Sequence, residues 1–162
     1  MVQAHSAPAQ PESVAPIKRH RKTSGASPAK GGSRSGSARR LIGIAFEANE
    51  GWSKARASQL FERVAATSPL PTGKLRAELI PDSSWKRAGK TLGPQASQTT
   101  ARLGHILVVA ESVWGNESDA TEWLNSPHPE LHGATPLSLL KTEAGGRAVE
   151  ALLAALEFGF PV

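Results

Sequence analysis

The chain has 162 residues, enough for one ordinary domain or two very small ones. It holds no cysteine, which excludes disulfide scaffolds, thiolate zinc sites and cysteine nucleophiles. The formal charge is +5 and no apolar run is long enough to span a bilayer.

Residues 1–40 are Ser, Pro, Gly, Ala, Lys and Arg almost throughout, with eight cations against Glu12 alone. Such a stretch buries too little to offset its ordering entropy, so it is expected to be a disordered basic tail. It lacks the apolar core of a secretory signal. Its Ser-rich, acid-poor character would also suit an organellar transit peptide, but a cytoplasmic tail is the favoured expectation. Residues 41–105 carry nine cations against five acids, and residues 106–162 two against eight. A basic front suits nucleic acid, and an acidic back suits a protein with a basic cleft.

Leu41 to Phe46 form an apolar lead-in of uncertain type, interrupted at Gly51. Ser53 is placed to cap a helix to about Ala66, with Ala57, Leu60, Phe61 and Val64 at helical spacing. Pro69 and Pro71 end it. A short helix can start at Thr72, carrying Leu75 and Leu79. After a Pro81-Asp82 turn, Asp82 can cap another helix from Ser83 to about Ala88, anchored by Trp85 and closed by Gly89. Gly93-Pro94 marks a break. A long helix is expected from about Ser97 to Trp114, with Leu103, Ile106, Leu107, Ala110 and Val113 on its apolar stripe. Asn116 caps the next helix, which carries Ala120, Trp123 and Leu124. Ser126 to Pro129 is a rigid loop, and Pro136 opens a short helix to Leu140. Thr142 caps the last helix, with Glu143 in its first turn; Val149, Leu152, Leu153 and Leu156 are expected to line its buried face, and Gly159 stops it. No strand signal appears, so the expected fold is all-α.

Thr72 to Lys90 has the layout of a helix-turn-helix. Its second helix would present Ser83, Ser84, Lys86 and Arg87 to the major groove, with Lys90 at the phosphates and Lys74 and Arg76 toward the backbone. A plain helical bundle with a solvated basic face has the same layout. Several patterns fail as catalytic or metal motifs. His128-Pro129-Glu130-Leu131-His132 has the wrong order for a zinc-protease motif and a proline against the helix it needs. Gly89-Lys90-Thr91 lacks the first glycine and the strand of a phosphate loop. His105 reads as a surface or boundary residue. No nucleophile–base–orienter set can be assembled, so the chain is expected to be a non-enzyme without cofactor or metal.

The most particular stretch begins at Trp114-Gly115-Asn116. It continues through Trp123-Leu124, Leu131, Gly133, Thr135-Pro136-Leu137, Thr142-Glu143-Ala144-Gly145 and Leu156 to Gly159. In this order and spacing it resembles the toxin-binding domain of the Xre, MbcA and ParS antitoxins, from about Ala101 to the end. The resemblance implies a helix-turn-helix-like domain over residues 41–100 and a toxin-binding domain over 101–162. The segment departs from the family's usual recognition helix: Ser84-Trp85 precedes Lys86-Arg87 where a Thr-Leu and more arginine are usual.

The resemblance further implies neutralisation of a toxin, commonly of the NAD-consuming RES class, by blocking its active-site entrance. Glu150, Glu157, Phe158, Gly159, Phe160 and Val162 are the expected contacts, with acids standing in for the pyrophosphate of NAD. Operator DNA binding and a homodimer are expected beside it. The alternative is a stand-alone helix-turn-helix regulator; a small enzyme of unknown type is a further rival.

Overall fold

The structure, a computed structural model, describes residues 32–159, and every regular element among them is helical. Helix α1 spans Gly32–Glu50, α2 Lys54–Ala65, α3 Thr72–Leu79, α4 Asp82–Arg87 and α5 Pro94–Trp114. Helices α6 (Glu117–Asn125), α7 (Pro136–Leu139) and α8 (Glu143–Phe158) follow, with a 3₁₀ turn at Pro129–Leu131 before α7. The all-α expectation is met. A lone bridge between Ser53 and Thr91 joins the starts of α2 and α5.

Helix α5 is the axis. Against it lie α1, α6 and α8. Leu103, Ile106, Leu107 and Ala110 are fully buried along it, as the 3.6-residue period requires. A single core runs from Trp52 to Leu153. The boundary drawn between residues 100 and 101 therefore falls inside α5, which serves both halves.

Three local expectations are corrected. Residues 32–40, assigned to the disordered tail, lie in α1. Gly- and Ser-rich sequence forms helix there because α1 packs on α5: Ile44 sits over Gly104, where a Cβ would lie 3.3 Å from Ile44 Cδ1. Arg40 also reaches Glu111 at 2.7 Å. Tertiary packing outweighs weak propensity. Residues 1–31 of that expected tail lie outside the described residues.

Helix α5 begins at Pro94, with Gly93 before it, and not at Ser97. Proline suits a first turn whose N–H groups have no helical partner. Ser97 is buried instead, accepting the Trp52 amide at 3.0 Å and donating to the Leu92 carbonyl at 3.1 Å. Finally, Asp82 is the first residue of α4 rather than its cap, and Ala88 in extended conformation ends that helix, not Gly89. The Asp82 carboxylate is drawn away by Arg76, 2.6 Å distant.

Candidate functional site

The C-terminal region is built from caps and close approaches. Asn116 accepts the Asp119 amide, Thr135 that of Ser138 and Thr142 that of Gly145. Each supplies an acceptor for one of the N–H donors that a helix start leaves unpaired. Gly145 is there for space: a Cβ would fall 2.1 Å from the Leu139 carbonyl oxygen. The α7–α8 corner is thus closed to any side chain at that position. Trp114 and Trp123 meet edge to face at 5.8 Å, and Trp123, Leu124 and Leu131 are buried. These residues of the family-like pattern make the scaffold.

What the scaffold presents is the end of α8. Val149, Leu152 and Leu153 are buried as expected, but Leu156, expected on the buried face, is 40% exposed because the packing ends one turn earlier, and Phe158 is 69% exposed. Glu157 and Gly159 are exposed beside them, with Gly159 capping the helix at φ 71°. A phenylalanine left this open has no home packing. Glu150, one of the expected contacts, lies seven residues before Glu157 on the same side of the helix. It faces α5, 3.3 Å from His105 Nε2, in a pair that is ionic when the imidazole is protonated. Phe160 and Val162 lie outside the described residues.

The second candidate surface is α3–α4. The two helices and the tight turn fall where the sequence places them. Lys74, Ser83, Lys86, Arg87 and Lys90 are exposed, and Ser84 is half-buried. Arg87 Nε donates to the Ser83 carbonyl at 3.2 Å, still on the outer face of α4. Arg76 departs from this set. Its guanidinium side chain is only 14% exposed, bonded to Asp82 and 4.7 Å from the Trp85 ring centroid. Lys54, on α2, was missed by sequence reasoning. Its ammonium lies 5.4 Å from the same ring and donates to the Ala88 carbonyl at 3.0 Å. No local signal ties residue 54 to residue 85; only the fold brings them together.

A third feature is a cavity of about 390 Å³ between α1, α2 and α5, lined by Arg39, Arg40, Arg56 and Arg63 over Trp52 and Leu107. Its cations are largely committed. Arg40 and Arg63 share Glu111, Arg63 also bonds Glu117 at 2.7 Å, and Arg56 pairs with Glu47. The hydrogen bond to Glu117 raises the Arg63 guanidinium above its ordinary value, against the opposing effect of burial. The same bond lowers the Glu117 carboxyl below 4.5. These pairs clamp α1 and the α5–α6 corner onto α2.

His128 is structural. Its Nε2 lies 3.0 Å from the Trp123 carbonyl oxygen, and its ring tilts over Trp123 at 5.2 Å. No group of three His, Asp or Glu side chains among the described residues is placed to hold a metal ion. No described helix is long and apolar enough to cross a membrane.

Comparison with known proteins bears on the same C-terminal region. Residues 109–159 match the family model described as the antitoxin Xre/MbcA/ParS C-terminal toxin-binding domain. A protein of Pseudomonas putida named Antitoxin Xre is 36% identical over 59 residues, which are 36% of this chain and 37% of that protein. The chain therefore spans little more than a third of that relative's length. From the second half of α5 to the cap of α8, the chain is similar to the Xre/MbcA/ParS C-terminal toxin-binding domain, and in that region it is Xre/MbcA/ParS-like.

Proposed function

We propose that this protein is an antitoxin that acts by binding, not catalysis: it holds a cognate toxin, of the RES type, inactive by covering its active-site entrance. The observation that carries the reading is the exposed end of α8. Phe158 at 69% and Leu156 at 40% exposure flank Glu157 at the close of a well-capped helix, inside the matched segment. Large aromatic side chains are enriched at the centres of protein interfaces, with charged groups toward the rim. The net negative charge of residues 106–162 would steer the protein to a cleft that binds an anionic cofactor. A tight inhibitor of this kind buries about 1,200–2,000 Å² in all.

The second part of the proposal is operator binding by the exposed cations of α3–α4, as a homodimer reading two half-sites in the cytoplasm of a bacterium. The test is co-expression with the toxin encoded beside it. Growth should be restored, and the two proteins should co-purify. Growth arrest that persists despite soluble protein would favour a stand-alone regulator, a reading supported by the outward-facing Lys86 and Arg87.

A further inference from the structure

Helix α4 is an oddity. It has six residues, none of them buried, and a proline before it that makes no side-chain cap. Six residues cannot hold a helix in water by themselves. Its attachment is the indole of Trp85. That ring meets Phe61 of α2 edge to face at 6.1 Å. Arg76 of α3 and Lys54 of α2 both lie against it, at 4.7 Å and 5.4 Å from its centroid. Each cation is tied off at its far side. Arg76 bonds Asp82 at the start of α4, and Lys54 bonds the carbonyl of Ala88 at its end. The two cations therefore grip α4 at its first residue, its middle and its last turn.

We infer that Arg76 and Lys54 are positioning residues that set the pose of α4 through Trp85, and that neither contacts DNA. The inference rests on the operator-binding reading above and reassigns Arg76 within it. A buried guanidinium facing an aromatic ring and a carboxylate has little left for a phosphate; one of its nitrogens, Nη1, is buried without any partner. The groups left to meet nucleic acid are Lys74, Lys86, Arg87 and Lys90, all exposed. Serines 83 and 84, on the same short helix, depend on the pose that the brace sets.

Salt dependence separates the two roles. A phosphate-bound cation releases counterions, so its loss lowers the slope of log K against log salt by about 0.9 on duplex DNA. A brace changes the fit to a preferred sequence and leaves that slope alone. The experiment measures binding of the full chain to a duplex from upstream of its own gene and to a scrambled duplex, across a salt series. Arg76→Met and Lys54→Met should each weaken binding to the upstream duplex about tenfold, leaving scrambled-duplex affinity and both slopes unchanged. Lys86→Ala should weaken both duplexes and lower both slopes. Arg76→Lys, which keeps the charge, should retain part of the preference.

A readout without DNA accompanies this. The Trp85 and Ala88 amides bond back to the Pro81 and Ser84 carbonyls. Their hydrogen exchange should accelerate in Arg76→Met and Lys54→Met while the amides of α5 stay protected. A fall in the scrambled-duplex slope on losing Arg76 would make it a phosphate contact and overturn the inference. Unchanged exchange and unchanged preference would overturn it equally. If the unaltered chain fails to distinguish the two duplexes, the operator reading falls, and the inference with it.

Discussion

The α3–α4 segment and the α5–α8 segment are both helical and short in their connections, yet they are held by different means. In α5–α8 the helix starts after α5 are capped by side chains, and the interiors are buried leucine, valine and tryptophan. In α3–α4 both helices start after a proline with no side-chain cap, and α4 has no fully buried residue, its Trp85 being half-buried against the core. Its pose depends on an arginine and a lysine against one indole. Packing density makes the first segment a rigid platform for a partner. The second is a thin element whose aim can be altered by single charges.

The largest effect should come from the platform. Leu153 is fully buried between α8 and its neighbours, so Leu153→Ala should cost about 2–5 kcal/mol in urea unfolding. Within α4 an equal change has no counterpart, because none of its residues is buried; the buried leucines of that segment, Leu75 and Leu79, lie in α3. Next is Gly145→Ala. A methyl 2.1 Å from a backbone oxygen forces the α7–α8 corner apart, at about 1–3 kcal/mol. A neutral outcome would mean that the corner is looser than described. Thr142→Ala should cost about 1 kcal/mol through the lost cap to Gly145. Asp82→Asn should cost less than that, since its carboxylate is more than half exposed and such an ion pair contributes about 0–1 kcal/mol. If the two costs were reversed, the contrast between capped and braced helices would fail.

The smallest effect is a pH dependence. Glu117 is held below 4.5 by its bond to Arg63, so the stability it contributes is complete above that ordinary value. That contribution is lost as pH falls through the lower folded value. The melting temperature of Glu117→Gln should therefore lie slightly below that of the unaltered chain near neutrality. The gap should close as pH falls below the ordinary glutamate range and through the lowered folded value. A gap that widened with acid would contradict the sign.

The same contrast explains what the sequence could tell. Thr142, Asn116 and Pro136 are local devices, and they could be located by residue type and spacing alone. The apolar stripe of α5 was equally legible. Residues 32–40 were not, because their helix depends on Ile44 meeting Gly104, sixty residues away in the chain, and not on propensity. Arg76 read as a solvated cation because nothing in its neighbours in sequence announces Trp85 as a partner across the turn. The exposure of Leu156 could not be read either: the apolar pattern of α8 continues to it, while the packing stops at Leu153. The caps at Asn116 and Thr142 follow from local rules, whereas the start of α5, the role of Asp82 and the helix of residues 32–40 are set by contacts that only the fold brings together.

The most direct measurement is the dissociation constant of the toxin complex, taken for the full chain and for a chain ending at Leu156, beside their unfolding midpoints. The account expects binding at least about thirtyfold weaker with the midpoint nearly unchanged, since Phe158 supports no core. Undiminished affinity in the shortened chain would contradict it, and the partner would then have to be engaged elsewhere on the molecule.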